Sequence, residues 1–286
     1  IGTWHGGDFS GIVQKLDYLK SLGANAIWVT PIVEQVHGFV GGGTEQSFPF
    51  YGYHGYWALD FTKIDKNLGT EEDFQRFVDE AHKRGIRVLV DVVMNHAGSI
   101  TLKDLQDLGM DDLIINKETL PDDYSDYKPK GYFASWASVN SHIDRENKPA
   151  WKKWWGSSWV RAGLPGYDPS GDSEITETIA GLPDFKTEQL TPVSLPEFLK
   201  HKADTNAKEL SNATVVDYLV SWHSYYVRKF GIDGFRCDTV KHVDAYAWKK
   251  LHDSATVALK EWKAENPTKK LDDLPFFMVG EVYDQG

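Results

Sequence analysis

Cysteine is almost missing from this chain. Cys237 is the single one among 286 residues, so no disulfide can form within the sequence, and one thiol says little about redox compartment. No apolar run is long enough to span a membrane. Positive charge is scarce: 31 Lys and Arg stand against 42 Asp and Glu, a formal net charge of -11. Such a surface repels phosphate backbones and anionic lipid, so neither nucleic acid nor a membrane is an expected partner. A neutral ligand such as a sugar suits it. Internal repeats and low-complexity stretches are absent as well. The chain has no initiating Met and no visible signal peptide. It opens at Ile1 and stops at Asp284-Gln285-Gly286, which reads as an internal segment of a longer protein with room upstream for an export signal.

Aromatic residues are plentiful: 11 Trp, 13 Tyr and 14 Phe argue against disorder. The length is enough for one large domain or a domain with an insertion. Phe9, Ile12, Val13, Leu16 and Leu19 recur near helical spacing between Asp8, a capping residue, and Gly23, a stop. Ala24 to Thr30 follows as a short buried strand closed by Pro31. Thr70-Glu71-Glu72-Asp73 has the form of a capping box and predicts a helix to Arg84, stopped by Gly85, before an apolar strand from Ile86 to Val93. A third helix is expected from Thr214 to Phe230 with Gly231 as its stop, then a strand from Ile232 to Asp238. A fourth runs from Val243 to Glu265, halted by Asn266-Pro267, before a strand from Phe276 to Glu281.

Short buried strands alternating with amphipathic helices predict an α/β fold with a parallel sheet. A doubly wound open sheet and a (β/α)8 barrel share this rhythm. No glycine-rich dinucleotide fingerprint follows any strand, which favours the barrel. Barrel chemistry sits at the C-terminal strand ends. Three of the strands do end in polar clusters: Asp91 to His96, Arg236 to His242, and Glu281 to Asp284. From Ala97 to Ala213 the rhythm breaks over a stretch too long for a βα loop. The expected organisation is a first barrel part over residues 1–96, a small inserted domain over 97–213, and a second barrel part over 214–286. Trp151, Trp154, Trp155 and Trp159 follow helical spacing and are expected in the core of the insertion rather than on a ligand surface. Pro31 to Gly69 reads as a long loop, made mobile in part by Gly41-Gly42-Gly43.

Asp91-Val92-Val93-Met94-Asn95-His96 resembles the third-strand signature of the α-amylase superfamily, glycoside hydrolase family 13. Gly234-Phe235-Arg236-Cys237-Asp238-Thr239-Val240-Lys241-His242 resembles its fourth, and Gly280-Glu281-Val282-Tyr283-Asp284 its fifth. Leu182-Pro183-Asp184-Phe185 is similar to the short motif near the end of the family's inserted domain, and Tyr53-His54-Gly55-Tyr56-Trp57 to the aromatic motif after the second strand. The five motifs stand in the family's order across nearly the whole chain. The wording around His5-Gly6-Gly7-Asp8, Glu34-Gln35-Val36-His37-Gly38 and Tyr53 to Trp57 looks closest to bacterial periplasmic α-amylases. The resemblance implies a (β/α)8 TIM barrel of which about strands two to five lie here, with an inserted domain after the third. It places a third catalytic carboxylate beyond residue 286. It further implies a periplasmic or secreted location and retaining endo-hydrolysis of α-1,4-glucosidic bonds in starch, glycogen and maltodextrins. The alternatives are a related α-1,6-glucosidase, α-glucosidase or transglycosylase, and a non-catalytic glucan-binding homologue. A monomer is expected, and a partial barrel with open edges is expected to be inactive by itself.

Glycoside hydrolysis needs two carboxyl groups about the scissile bond. Asp238 and Glu281 end consecutive strands, and parallel neighbours lie about 4.8 Å apart. That is close to the roughly 5–5.5 Å of a retaining pair, with Asp238 as nucleophile and Glu281 as acid. Arg236 precedes Asp238 by two residues, faces the same side and favours its ionised form. The resemblance puts His54, Tyr56 and His96 on the sugar, Tyr56 as a stacking platform, and Lys241 and His242 on the leaving-group side. It implies calcium, bound by the Asn95 side chain, the Asp184 carboxylate and the His242 carbonyl, joining barrel and insertion. Without the motifs, His96 reads as a packed histidine, Asp184 as a turn-former after Pro, and Lys241 as a solvated lysine. Trp57 is expected to pack, and Asp91 to accept structural hydrogen bonds.

Overall fold

The computed structural model describes residues 2–42, 48–120 and 141–283. Asp8 caps α1 (Phe9–Ser21) by accepting from the Gly11 N–H, and the chain passes into β1 (Ala26–Val29). β2 (Val33–Gln35), β3 (Phe39–Gly42), β4 (Phe48–Tyr51) and β5 (Ala58–Ile64) come next. α2 (Glu71–Lys83) opens on the expected capping box, Thr70 and Asp73 exchanging side-chain and backbone bonds. Such a cap stabilises a helix by about 1 kcal/mol. α2 leads into β6 (Arg87–Val92). The following segment holds α3 (Leu102–Asp107), α4 (Lys148–Trp151), β7 (Val160–Arg161), β8 (Asp184–Phe185) and α5 (Glu197–His201). The βα rhythm then resumes with α6 (Val215–Phe230), β9 (Gly234–Cys237), α7 (Ala245–Glu265) and β10 (Phe277–Gly280). α6 ends at Gly231, whose φ of +74° and contact with the Trp262 ring both require a residue without Cβ.

β1, β6, β9 and β10 form one parallel sheet, hydrogen-bonded in chain order. A doubly wound sheet reverses its order at a switch point. Here each crossover moves on to the next neighbour, so the sheet is an arc of a (β/α)8 barrel. Ala26 and Trp28 of β1 are exposed, as are Phe277 and Val279 of β10, because these strands form the edges of the arc. An apolar run announces a strand but not its number of neighbours.

Pro31 to Gly69 is not one loop. β2 pairs antiparallel with β5, and β3 with β4. Gly41 and Gly42 sit inside β3, opposite Pro49 and Phe48, so they are held in a ladder; Gly43 lies outside the described residues. The Phe39 and Tyr51 rings, 5.5 Å apart, close that hairpin.

The four tryptophans are all buried, but not along one helix, since α4 ends at Trp151. Trp155 meets Phe61 of β5 and Phe185 of β8. Trp159 stacks on Trp222 of α6 at 5.7 Å and tilts against Tyr218. These rings belong to one hydrophobic cluster with the barrel strands and helices. Removing a ring of that size from a packed core costs about 3–5 kcal/mol.

Candidate active site

Asp238 directly follows β9 and Glu281 directly follows β10, and the two strands are hydrogen-bonded neighbours. Pairing continues past the strand ends. The Glu281 N–H donates to the Cys237 carbonyl at 2.8 Å, and the Val240 N–H to the Glu281 carbonyl at 3.1 Å. Gly280 allows this approach, because a Cβ there would stand 2.6 Å from Val240 Cγ2. Between them Thr239 takes the left-handed conformation, φ +48°. A β-branched residue pays on the order of 1–3 kcal/mol for that backbone. The bend aims the Thr239 hydroxyl at Asp238 Oδ2, 3.1 Å away, and its N–H at Glu281 Oε2, 3.4 Å away.

Arg236 joins the two acids. Its Nη1 lies 2.9 Å from Asp238 Oδ1, and its Nη2 lies 2.8 Å from Glu281 Oε1. Nη1 also donates to both oxygens of Asp91 on β6, at 2.9 and 3.2 Å. Tyr56 donates its hydroxyl to the same carboxylate at 2.8 Å, and Trp28 its indole N–H at 3.2 Å. The Trp28 ring also lies 5.1 Å from the Arg236 guanidinium. Asp91 is therefore the structural acceptor expected, and with three donors it is the centre of the polar layer. Burial pushes its carboxyl up to about 6, with the charge of Asp238 adding to the rise. Asp238 is raised too, first by burial and then by the Glu281 charge, against the pull of Arg236. Arg236 thus favours the ionised form, as expected, while burial and the Glu281 charge oppose it. Glu281 follows the edge strand β10 and has 38% of its side chain exposed, against 9% for Asp238 after the inner strand β9.

The short motif of the intervening segment is stitched onto the end of β6. The Phe185 N–H donates to the Asn95 carbonyl at 2.8 Å, and the Ala97 N–H to the Pro183 carbonyl at 3.0 Å. This brings the three expected calcium ligands together. The Asn95 amide is 3.1 Å from Asp184 Oδ1 and 3.2 Å from the His242 carbonyl. These are hard oxygen-bearing groups of the kind calcium takes. Asp184 is fully buried, and desolvation pushes its carboxyl up to about 7, so a cation beside it would relieve an electrostatic cost. Its other oxygen is already engaged by Arg161 Nη1 at 2.9 Å. Among the described residues no group of three or more His, Cys, Asp and Glu gathers to hold a metal, as follows when the candidate set has one acid. The residue types fit a hard cation on one side of Asp184 once the Asn95 amide is turned over, since here its NH2 faces Asp184 Oδ1 and the His242 carbonyl while its Oδ1 faces His96 Nδ1.

His96 is packed: it is 3% exposed, with Nδ1 facing Asn95 Oδ1 and Nε2 facing the Tyr56 carbonyl. Burial holds its ring down to about 4, and that of His54 likewise. His54 stacks on Tyr56 at 5.8 Å, and its Nδ1 accepts from the Tyr56 N–H at 3.0 Å. Tyr56 thus reaches the acids through Asp91. Lys241 and His242 lie in the short turn after Asp238, beside Glu174. Trp28, Arg161 and Glu174 were not foreseen. Trp28 faces the Asp91 side because it is in register with Leu89, two residues before Asp91, and only the pairing reveals that.

The alpha amylase catalytic domain family matches residues 2–164 of the chain. Over its whole length the chain is 49% identical to the periplasmic alpha-amylase of Escherichia coli (strain K12), covering 43% of that protein. It is 31% identical to an alpha-amylase of Streptomyces lividans, with 99% of this chain and 28% of that one aligned. The crystal structure of an Anoxybacillus alpha-amylase superposes on 99% of this chain and 41% of its own, with a TM-score of 0.52 and 27% identity. The chain thus spans less than half the length of these relatives. With more than half of its residues matched, and 49% identity over its whole length to an alpha-amylase, the chain belongs to the alpha-amylase catalytic domain family of glycoside hydrolases.

Proposed function

We propose that the full-length protein is a retaining, endo-acting hydrolase of α-1,4-glucosidic bonds in starch, glycogen and maltodextrins. One observation carries the reading: a single guanidinium, that of Arg236, bonds both Asp238 and Glu281 at neighbouring strand ends. Two carboxyl groups that share one guanidinium suit the short separation of a double-displacement pair. Asp238 attacks the anomeric carbon while Glu281 gives its proton to the leaving oxygen. Glu281 then takes a proton from the water that releases the sugar. Arg236 and the Thr239 hydroxyl aim Asp238, and Asp91 with Tyr56 and Trp28 aims Arg236. His54 and Tyr56 are assigned to the sugar side, with His96 packed behind them, and Lys241 and His242 to the leaving-group side. A calcium ion held by Asn95, Asp184 and the His242 carbonyl would add positive charge and tie the intervening segment, read as an inserted domain over 97–213, to the barrel. The periplasmic relative supports an extracytoplasmic location. The presence of both carboxylates argues against a non-catalytic binding protein.

Proton NMR of maltooligosaccharide cleavage at early times tests the reading, before mutarotation mixes the anomers. The α-anomer is the expected first product. An initial β-anomer signal would remove both the retaining mechanism and the nucleophile role of Asp238.

A further inference from the structure

The turn Val240–His242 follows the Asp238 strand and carries the two residues of the leaving-group side. Its backbone is fixed from within the barrel, by the Val240 N–H on the Glu281 carbonyl and by the Trp248 indole on the Val240 carbonyl at 3.0 Å. Its side chains are fixed from elsewhere. Lys241 Nζ is 3.2 Å from Glu174 Oε1, and His242 Nδ1 is 2.8 Å from the Glu174 carbonyl. Among the described residues both side chains take their polar partner from this one residue. Glu174 itself is held in a tight turn, in which the Thr176 and Glu177 N–H groups donate to the Ser173 carbonyl at 2.9 and 2.8 Å.

We infer that Glu174 is a positioning residue for the leaving-group side of the cleft, setting where Lys241 and His242 meet the departing sugar chain. The inference rests on the α-glucan hydrolase reading above. The side chain of Glu174 is 63% exposed, and ion pairs this open contribute at most about 1 kcal/mol to folding. Stability therefore gives it little reason to reach across from the intervening segment. Position does. A lysine ammonium has three N–H donors. One is spent on Glu174, and the others remain for sugar hydroxyls. A carbonyl can only accept, so the contact with Glu174 makes His242 Nδ1 a donor and leaves Nε2 for a sugar hydroxyl.

The test uses the full-length enzyme with maltooligosaccharides labelled at the reducing end. Wild type, Glu174→Gln, Lys241→Met and the double variant are compared for kcat, KM and the bond cleaved. Glu174→Gln keeps the carbonyl contact and removes the charge. It should raise KM about two- to five-fold with kcat nearly unchanged, since the lost term acts on binding. Weaker hold on the leaving-group side should move cleavage toward the reducing end, with an unchanged melting temperature. In the Lys241→Met background the same substitution should leave KM where it is. Unaltered KM and cleavage positions in Glu174→Gln, or an equal effect with and without Lys241, would overturn the inference and leave the hydrolase reading standing. A wild-type enzyme that cleaves no α-glucan removes both, and that result is seen before any variant is compared.

Discussion

Replacing His37 with Gln should weaken the protein clearly at pH 6 and hardly at all at pH 10. His37 bridges β2 to α3: Nε2 lies 2.9 Å from Glu34 Oε1, and Nδ1 lies 2.7 Å from Asp107 Oδ2 and 3.9 Å from Asp104 Oδ1. Lys202 pairs with Glu34 at 2.7 Å and stands 3.5 Å from Asp60, while Lys103 pairs with Asp107, so cations are present behind the acids. Burial works against a charged ring here, but hydrogen bonds and attraction from Glu34, Asp104 and Asp107 outweigh it. They raise the imidazole from 6.5 to about 9. A histidine whose folded pKa is raised binds its proton more tightly in the native state. Its stabilisation is full below about pH 6.5 and is lost as the pH rises through about 9. Glu34 is held below its ordinary value, so its own titration falls at acid pH, outside this window. The displacement of His37 sets a ceiling of about 3 kcal/mol. A fifth of the side chain is exposed and Asp107 is partly solvated, which screens the pair and leaves about 1–2 kcal/mol. For a domain of this size that is a melting shift of about 4 °C. Urea unfolding of the full-length wild type and His37→Gln from pH 6 to 10 measures the difference directly. A gap that stays constant across the range, or widens toward pH 10, would refute the charged-histidine account.

Asp238→Asn should lower starch hydrolysis on the order of 10⁴-fold or more while leaving folding and glucan binding largely intact, because the amide keeps an oxygen for Arg236 but cannot form the covalent intermediate; a variant retaining more than a small fraction of the wild-type rate removes Asp238 from the nucleophile role. Chelation should lower the melting temperature of the full-length protein, by about 3 kcal/mol of stability if free calcium stood near a hundredfold over its Kd. Asp184→Ala should weaken that dependence, and an unchanged melting temperature in excess chelator would count against a calcium site at Asn95 and Asp184.

Local chemistry made parts of this structure readable from sequence. Thr70 with Asp73 and Gly231 act within one turn of their own helices, so a short stretch of sequence carries their whole meaning. The strand-end carboxylates were legible because four strand and helix units fixed which residues end a strand. The hairpins between Pro31 and Gly69 were not: β2 is three residues long and pairs with β5 through shifted register, which erases the alternation that marks a strand. Arg161 was invisible for a similar reason. It lies in a two-residue strand opposite Asp184, and nothing near it in sequence names that partner. The burial of Asp238 was not legible, because it depends on everything packed around the strand end, while Arg236 is two residues away in the chain.

The aromatic seam between the intervening segment and the barrel bears on how this fold can diversify. Trp155, Trp159 and Phe185 from one side and Phe61, Tyr218 and Trp222 from the other make a single packed layer. A segment seated this way cannot be grafted as a free-standing module onto another barrel, since its rings would arrive without their counterparts. A change at Trp159 would have to be answered in α6, at Tyr218 and Trp222.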